Sequence, residues 1–308
     1  MFKKRTLRSI FVSLMLTALC CLTLVGCSSK SSDELPKLVI GCDNCRPYNY
    51  TDEDGKPAGM DVDLAKEACR RMGYEPVFEQ IEWNRRDVLL ASGKIDCLWS
   101  CFSMDGQEDR YAWVGPYMYS RQIVAVLYDS PIRHLSDLEG KSVAVRVGSK
   151  AETTFLEHSE EGVPQVQNVY CLSDLSEVIT ALRDDYVDAC AGYAAAVREQ
   201  LRNAGVEYRF LNEDFARAKL GIAFSKGSDE ELRNKLSDAL DEMLADGTTA
   251  HILQAYGVKN PSSQAYAHVF SANFAADCVK NPCRAKARLR ILALSATKLC
   301  SKIRTHFL

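Results

Sequence analysis

Histidine is scarce, five in 308 residues, and none of His134, His158, His251, His268 and His306 stands in a motif that would make it a general base. That weighs against hydrolytic or proton-transfer catalysis, and no catalytic residue is expected. No His-x3-His occurs, and the one Cys-x-x-Cys of the body, Cys42 and Cys45, has no second half-site, because Cys278 and Cys283 are separated by four residues. The pattern of a four-ligand zinc site is therefore missing, and neither metal nor cofactor is expected. Net positive charge is also lacking: removing four basic leader residues from the formal −3 leaves −7. Residues 262–308 hold eight Lys/Arg against Asp277 alone, so the part between is more acidic still, which argues against nucleic acid as a partner.

Cysteine, by contrast, is plentiful at thirteen. Cys69, Cys97, Cys101, Cys171 and Cys190 recur at apolar-periodic positions, where a cysteine serves as a small buried hydrophobe. Cys42 and Cys45 are expected to form a disulfide or simply to pack, rather than to act in redox chemistry. Cys27 has a different setting. Lys3, Lys4, Arg5 and Arg8 precede an uncharged apolar run, Ile10 to Val25, in the order of an export signal. Leu24-Val25-Gly26-Cys27 resembles the lipobox of bacterial lipoproteins, which implies cleavage before Cys27 and a lipid on its sulfur. The alternative is an uncleaved anchor, but the run falls short of the roughly 20 apolar residues of a spanning helix.

The expected organisation is a signal peptide (1–26), a Ser/Lys-rich spacer (27–36), a first lobe from 37–126 and 223–260, a second lobe from 127–222, and a basic tail (261–308). Lys37–Gly41 reads as a buried strand. Leu64, Ala65, Ala68, Cys69 and Met72 then recur at helical spacing behind Asp61 and Asp63, with Gly73 as a stop. A strand (Pro76–Ile81), a helix (Arg85–Ala91) and a strand (Ile95–Trp99) complete a βαβαβ unit. From Lys141 the order restarts: strand Ser142–Val147, helix from Lys150 to about His158, strand Gln165–Tyr170, helix Leu175–Arg183, strand Val187–Ala191. The two units echo each other, each passing from a helix end through a turn into an apolar strand entered by an aspartate, Asp96 and Asp188. Alternating elements predict parallel-dominated α/β sheets with ligands at the carboxyl ends of strands. Crossings near Val124–Tyr128 and Leu220–Phe224 would make a two-strand hinge. The tail has a helical-looking stretch, Leu289–Leu299, suited to packing or to an anionic lipid surface; the plainer reading is an appendage or an altered reading frame.

Several segments carry a resemblance over roughly 37–260: Asp54-Gly55; Gly59-Met60-Asp61-Val62-Asp63-Leu64-Ala65; Gly93-Lys94-Ile95-Asp96; Gly115-Pro116-Tyr117; Leu135 to Lys141; Val147-Gly148-Ser149; and Ala245-Asp246-Gly247-Thr248. In this order the chain resembles the extracellular solute-binding proteins of family 3, the polar amino-acid type that serves ABC importers. The resemblance implies an α/β fold, a two-lobe periplasmic-binding-protein-like clamp. It also implies a small-molecule solute and a membrane permease as partners, for a monomer lipid-anchored to the cell membrane and facing outward. Alternatives are a ligand-sensing surface receptor and an enzyme on the same fold.

Candidate ligand residues follow. Ser149 ends a strand and opens a helix, so its hydroxyl and the N–H groups behind it suit a carboxylate, although a plain N-cap is the competing role. Ser100, Cys101 and Ser103 leave the Ile95–Trp99 strand at its carboxyl end. The resemblance places Asp43 at a ligand amino group, with Tyr48 in the same loop. Trp83 and Trp113 read as core or cleft-wall aromatics. Two family anchors are missing. The usual carboxylate-binding arginine is Gln107 here, and the usual amine-binding aspartate is Tyr193. Arg110, three residues on, or Arg146 from the other lobe is expected to take the arginine's place. The solute is then an amino acid or amino-acid-like acid whose amine is absent, modified or held by Asp43.

Overall fold

The computed structural model describes residues 34–258; the leader with Cys27 and residues 261–308 lie outside them. The β-branched run Leu38-Val39-Ile40 lies in β1 (Lys37–Cys42), buried over nearly its whole length, as a strand covered on both faces must be. It runs parallel between β4 (Glu75–Gln80) and β5 (Cys97–Leu98). A short hairpin, β2 (Tyr50–Thr51) with β3 (Pro57–Ala58), leads into α1 (Met60–Met72). Asp61 and Asp63 occupy its first turn, Arg70 and Arg71 its last, and Gly73 closes it in a left-handed conformation. Gly59 before it cannot be replaced: at φ 120° a Cβ would lie 2.2 Å from the Tyr48 carbonyl oxygen. After β4 comes α2 (Arg86–Ala91).

The second lobe repeats the plan, with β7 (Ser142–Arg146) parallel between β8 (Asn168–Leu172) and β9 (Ala189–Tyr193). Its helices are α3 (Lys150–Glu157) and α4 (Leu175–Arg183). The sequence echo has a physical counterpart. Asp96 Oδ2 accepts the Val39 N–H at 2.7 Å and Asp188 Oδ2 accepts the Ser142 N–H at 2.8 Å, while each aspartate's own N–H donates to the same residue's carbonyl. In both lobes the aspartate ties the edge of its strand to the start of the central one.

Between the units run two antiparallel strands, β6 (Ala112–Leu127) and β11 (Ala216–Phe224), giving the order β4-β1-β5-β11-β6-β9-β7-β8, with β10 (Tyr208–Phe210) also on β6. β6 pairs with β11 from Ala112 to Gln122 and with β9 from Gln122 to Ala125. Gln122 is thus shared between Ala216 of β11 and Tyr193 of β9. Gly115-Pro116 sits inside β6, where the register shifts at Leu220/Ile222 opposite it. There the Gly221 N–H donates to Phe102 instead of the ladder.

α5 (Ala194–Asn203) follows β9 directly, without a sequence signal that marked it. α6 (Glu230–Ala245) and α7 (Thr248–Ala255) send Leu236, Leu240, Met243 and Leu253 into the core of Leu38, Leu64 and Trp99. No helix among the described residues is long and apolar enough to cross a membrane.

Removing either strand-entry carboxylate leaves a partly buried N–H without its acceptor. Asp96→Ala and Asp188→Ala are each expected to cost about 1–3 kcal/mol by urea denaturation. Asp184→Ala, which removes only an exposed pair with Arg183, should leave the midpoint unchanged.

Candidate ligand-binding site

The carboxyl ends of four strands converge. β1 delivers Asp43, the turn after β5 delivers Ser100, Cys101 and Ser103, β7 ends at Arg146 and leads to Ser149, and β9 ends at Tyr193. All seven line a cavity of about 60 Å³, with Trp83, Gln107 and Asp105 among the other walls.

Asp43 is 5 % exposed. Its Oδ1 accepts the Ser100 hydroxyl at 2.5 Å, its N–H donates to Ser100 Oγ at 3.1 Å, and Arg146 of the second lobe donates to its Oδ2. Burial works against the Arg146 charge, yet Asp43 beside it and the nearby Cys45 and Cys101 hold its pKa above the ordinary arginine range. Its Nε is buried without a partner. A pair of this kind is costly to break from one side, because the remaining charge stays buried.

Ser149 takes the N-cap role: its Oγ accepts the Glu152 N–H at 3.2 Å, while Glu152 Oε2 accepts the Gly148 N–H at 2.6 Å. Part of the anion-binding capacity of this helix start is thereby met from within. Gly148 has φ 70°, and a Cβ there would rest 3.6 Å from Trp83 Nε1, so the turn passes close under the tryptophan. Trp83 meets Phe102 edge-on at 4.9 Å between centroids. Ser103 donates to Asp105 at 3.1 Å, and Asp105 in turn pairs with Lys219.

Two expectations are corrected. Arg110 does not reach the cavity. Residues 107–110 form a turn closed by Arg110 N–H to Gln107 O rather than a helix, and the guanidinium, 54 % exposed, pairs with Asp87 of α2 at 2.5 Å. Gln107 does line the cavity, while its carbonyl accepts Trp113 Nε1 at 3.0 Å. Tyr48 lies beneath the wall rather than in it: it is fully buried, its hydroxyl shares a 2.9 Å hydrogen bond with Ser120, and its ring lies 5.8 Å from that of Tyr193. Tyr193 brings a wall ring but no carboxylate.

Behind the wall stands a group the sequence did not mark. Asp61, read as a first-turn helix acid, is 1 % exposed. Its Oδ2 accepts the Cys101 N–H at 2.7 Å and Asn49 Nδ2 at 3.1 Å, and that amide also reaches Ser100 Oγ at 3.4 Å. The chain Asp61–Asn49–Ser100–Asp43 therefore links the core to the cavity. The Tyr117 phenol lies beside Asp61 without a hydrogen bond of ordinary geometry. Burial pushes the Asp61 carboxyl up to about 7, against the lowering effect of the Cys101 N–H and its other neighbours. No linear signal separates this aspartate from a solvated one, since both suit a helix start. Among the described residues no cluster of three or more His, Cys, Asp or Glu is placed to hold a metal ion.

A carboxyl with a raised folded-state pKa binds its proton more tightly folded than unfolded. Its contribution to stability is complete below about pH 4, is lost as pH rises to 7, and is level above. At about 1.36 kcal/mol per pH unit the loss is at most about 4 kcal/mol. Asp61→Asn keeps an acceptor for Cys101 and Asn49 but cannot ionise. Urea unfolding at pH 5 and pH 7.5 should show the wild type losing more stability than the variant; parallel behaviour of the two would refute an ionising Asp61.

The chain is similar to known binding proteins. The histidine-binding periplasmic protein of Salmonella typhimurium is 30% identical over 237 residues, covering 71% of this chain and 87% of that one. An ancestral arginine-binding protein, solved bound to glutamine, matches with TM-score 0.63 at 29% identity, over 71% of this chain and 97% of that one. An ancestral amino acid-binding protein described as a precursor of cyclohexadienyl dehydratase matches with TM-score 0.63 at 25% identity, over 71% and 95%. The family model of the bacterial extracellular solute-binding proteins, family 3, covers residues 38–259. With its paired βαβ units and the strand ends meeting at one cavity, the chain belongs to the bacterial extracellular solute-binding proteins of family 3.

Proposed function

We propose that this chain captures an amino acid or a close amino-acid analogue outside the cell and passes it to an ABC importer, without transforming it. The observation that carries the reading is the Asp43–Arg146 pair, which joins the two lobes through the cavity. A zwitterionic solute offers a carboxylate to Arg146 and an ammonium to Asp43, so both buried charges are satisfied again when it replaces their mutual contact. A bare anion would set a second negative charge beside Asp43. An uncharged solute would give neither charge a better partner. Ser100, Ser103 and the α3 start supply further polar contacts, Trp83 and Tyr193 supply apolar wall, and the absent arginine at 107 and aspartate at 193 are replaced by the pair itself. The named solutes of the relatives, histidine, arginine and glutamine, support an amino-acid class.

The same reading makes the protein a monomer on the outer face of the cell membrane, held by lipid on Cys27. The basic n-region, apolar run and Leu24–Cys27 motif support this. One chain of this kind suffices for capture, since both halves of the cavity come from it.

A thermal-shift screen of amino acids and their N-modified analogues should find a solute, because ligand at 100 times its dissociation constant adds about 2.7 kcal/mol. With that solute, calorimetry should show Arg146→Lys weakening binding at least tenfold, about 1.4 kcal/mol, because a planar fork is lost. Arg110→Lys should bind as the wild type does. Equal affinity for all three proteins, or recovery of a converted product, would overturn the reading. For the anchor, Cys27→Ser should abolish incorporation of labelled fatty acid; a labelled variant would count against it.

A further inference from the structure

A second cavity, of about 400 Å³, shares no lining residue with the solute site. One side of it is a single face of α5, where Ala195, Arg198, Glu199 and Arg202 recur at three- and four-residue spacing. Ala196, Val197 and Leu201, on the other side of the helix, are buried and hold it in place. Arg46 from the loop after β1, Tyr50 of β2 and Tyr256 just past α7 face that helix. The loop is fixed by its backbone: the Cys45 N–H donates to the Asn49 carbonyl at 2.7 Å, and the Met60 N–H donates to the Pro47 carbonyl at 2.9 Å. The Arg46 guanidinium lies over the Tyr50 ring, 3.8 Å from its centroid, and donates to the Thr51 carbonyl at 3.4 Å. Stacking of this kind covers the flat face of the guanidinium and leaves N–H donors at its edge.

Three guanidinium groups meet one carboxylate in this cavity. The carboxylate, Glu199, is engaged on its own helix, its Oε2 by Arg202 and its Oε1 by the Asn203 amide at 3.4 Å. Asp63, behind Tyr256, accepts that residue's hydroxyl at 2.6 Å. Arg198 rests over the Phe210 ring, 5.2 Å from its centroid, and neither it nor Arg46 makes an ion pair among the described residues. The surplus of positive charge around one concave space therefore has no counterpart of its own. We propose that this cavity binds a small polyanion, a polyphosphate or a polycarboxylate, with one anionic group held by Arg46 and another by Arg198 and Arg202. Guanidinium groups fork onto the oxygens of phosphates and carboxylates alike. Two anionic groups match cations that come from two separate elements, whereas a single oxyanion would leave one side uncompensated. The volume falls within the range of small-molecule sites, about 300–1,000 Å³. No residue assigned to the solute takes part, so the polyanion site stands whatever the solute is.

The test is calorimetric titration of the full chain with pyrophosphate and, separately, with propane-1,2,3-tricarboxylate, at fixed ionic strength. The expected result is saturable binding of at least one of them, the stronger arm telling a phosphate ligand from a carboxylate one. Arg46→Gln and Arg198→Gln should each weaken that binding at least tenfold, while Arg110→Gln, which removes a cation already paired with Asp87, should leave it unchanged. The basic residues of 262–308 are common to all four proteins, so any polyanion they attract adds equally to each titration. Circular dichroism checks that the variants fold; Arg198 is an exposed helix position, and its variant keeps the comparison open should Arg46→Gln fail to fold. Absence of saturable binding of both probes, or wild-type affinity in either folded variant, would overturn the proposal.

Discussion

Two opposite charges held out of water at the meeting point of four strands govern the rest of this molecule. Asp43 at the end of β1 and Arg146 at the end of β7 would each be costly to bury alone, by several kcal/mol. Together, with Ser100 on the carboxylate, they are tolerable. The pair also bridges the lobes, so on the proposed reading a solute that enters must satisfy both charges as well as they satisfy each other. The proposed selection for a solute with two opposite charges would follow from the cost of leaving either group unpaired.

A second carboxylate behind the first shows how environment divides one chemistry into two roles. Asp43 faces the cavity and an arginine. Asp61 faces the core, with a backbone N–H and an amide as partners and no cation beside it. Burial therefore acts on Asp61 unopposed by a counter-charge, and its proton affinity rises. Asn49 and Ser100 connect the two, so the position of the cavity floor depends on a residue outside the cavity lining.

The two lobes solve the same packing problem twice. In each, a helix ends in a left-handed turn, at Gly93 or at Asp185, and an aspartate then enters the next strand and receives the N–H of the central one. The long strands β6 and β11 join these units without interrupting the sheet order, and their one irregularity, at Gly115-Pro116 and Gly221, is absorbed by a shift in register. A joint made of two paired strands can bend while each lobe keeps its own core.

The sequence by itself determined what depends on neighbours along the chain. The helix Leu175–Arg183 was legible to the residue, and in the structure Asp174 caps it. The caps of α1 and α3 and the aspartate-entered strands were legible for the same reason, and the ordered motifs identified the family. Tertiary structure decided what depends on distant residues. Pro116 lies inside a strand only because β11 supplies a partner whose register shifts around it. Arg110 is a plausible anchor until Asp87 takes its charge, and Cys42 is the apparent partner of Cys45 until the fold turns its thiol to the Glu79 carbonyl. Arg146 finds Asp43 across 103 positions of sequence. Such pairings leave no periodic trace, because a contact between strand ends is set by sheet order and lobe closure rather than by spacing along the chain.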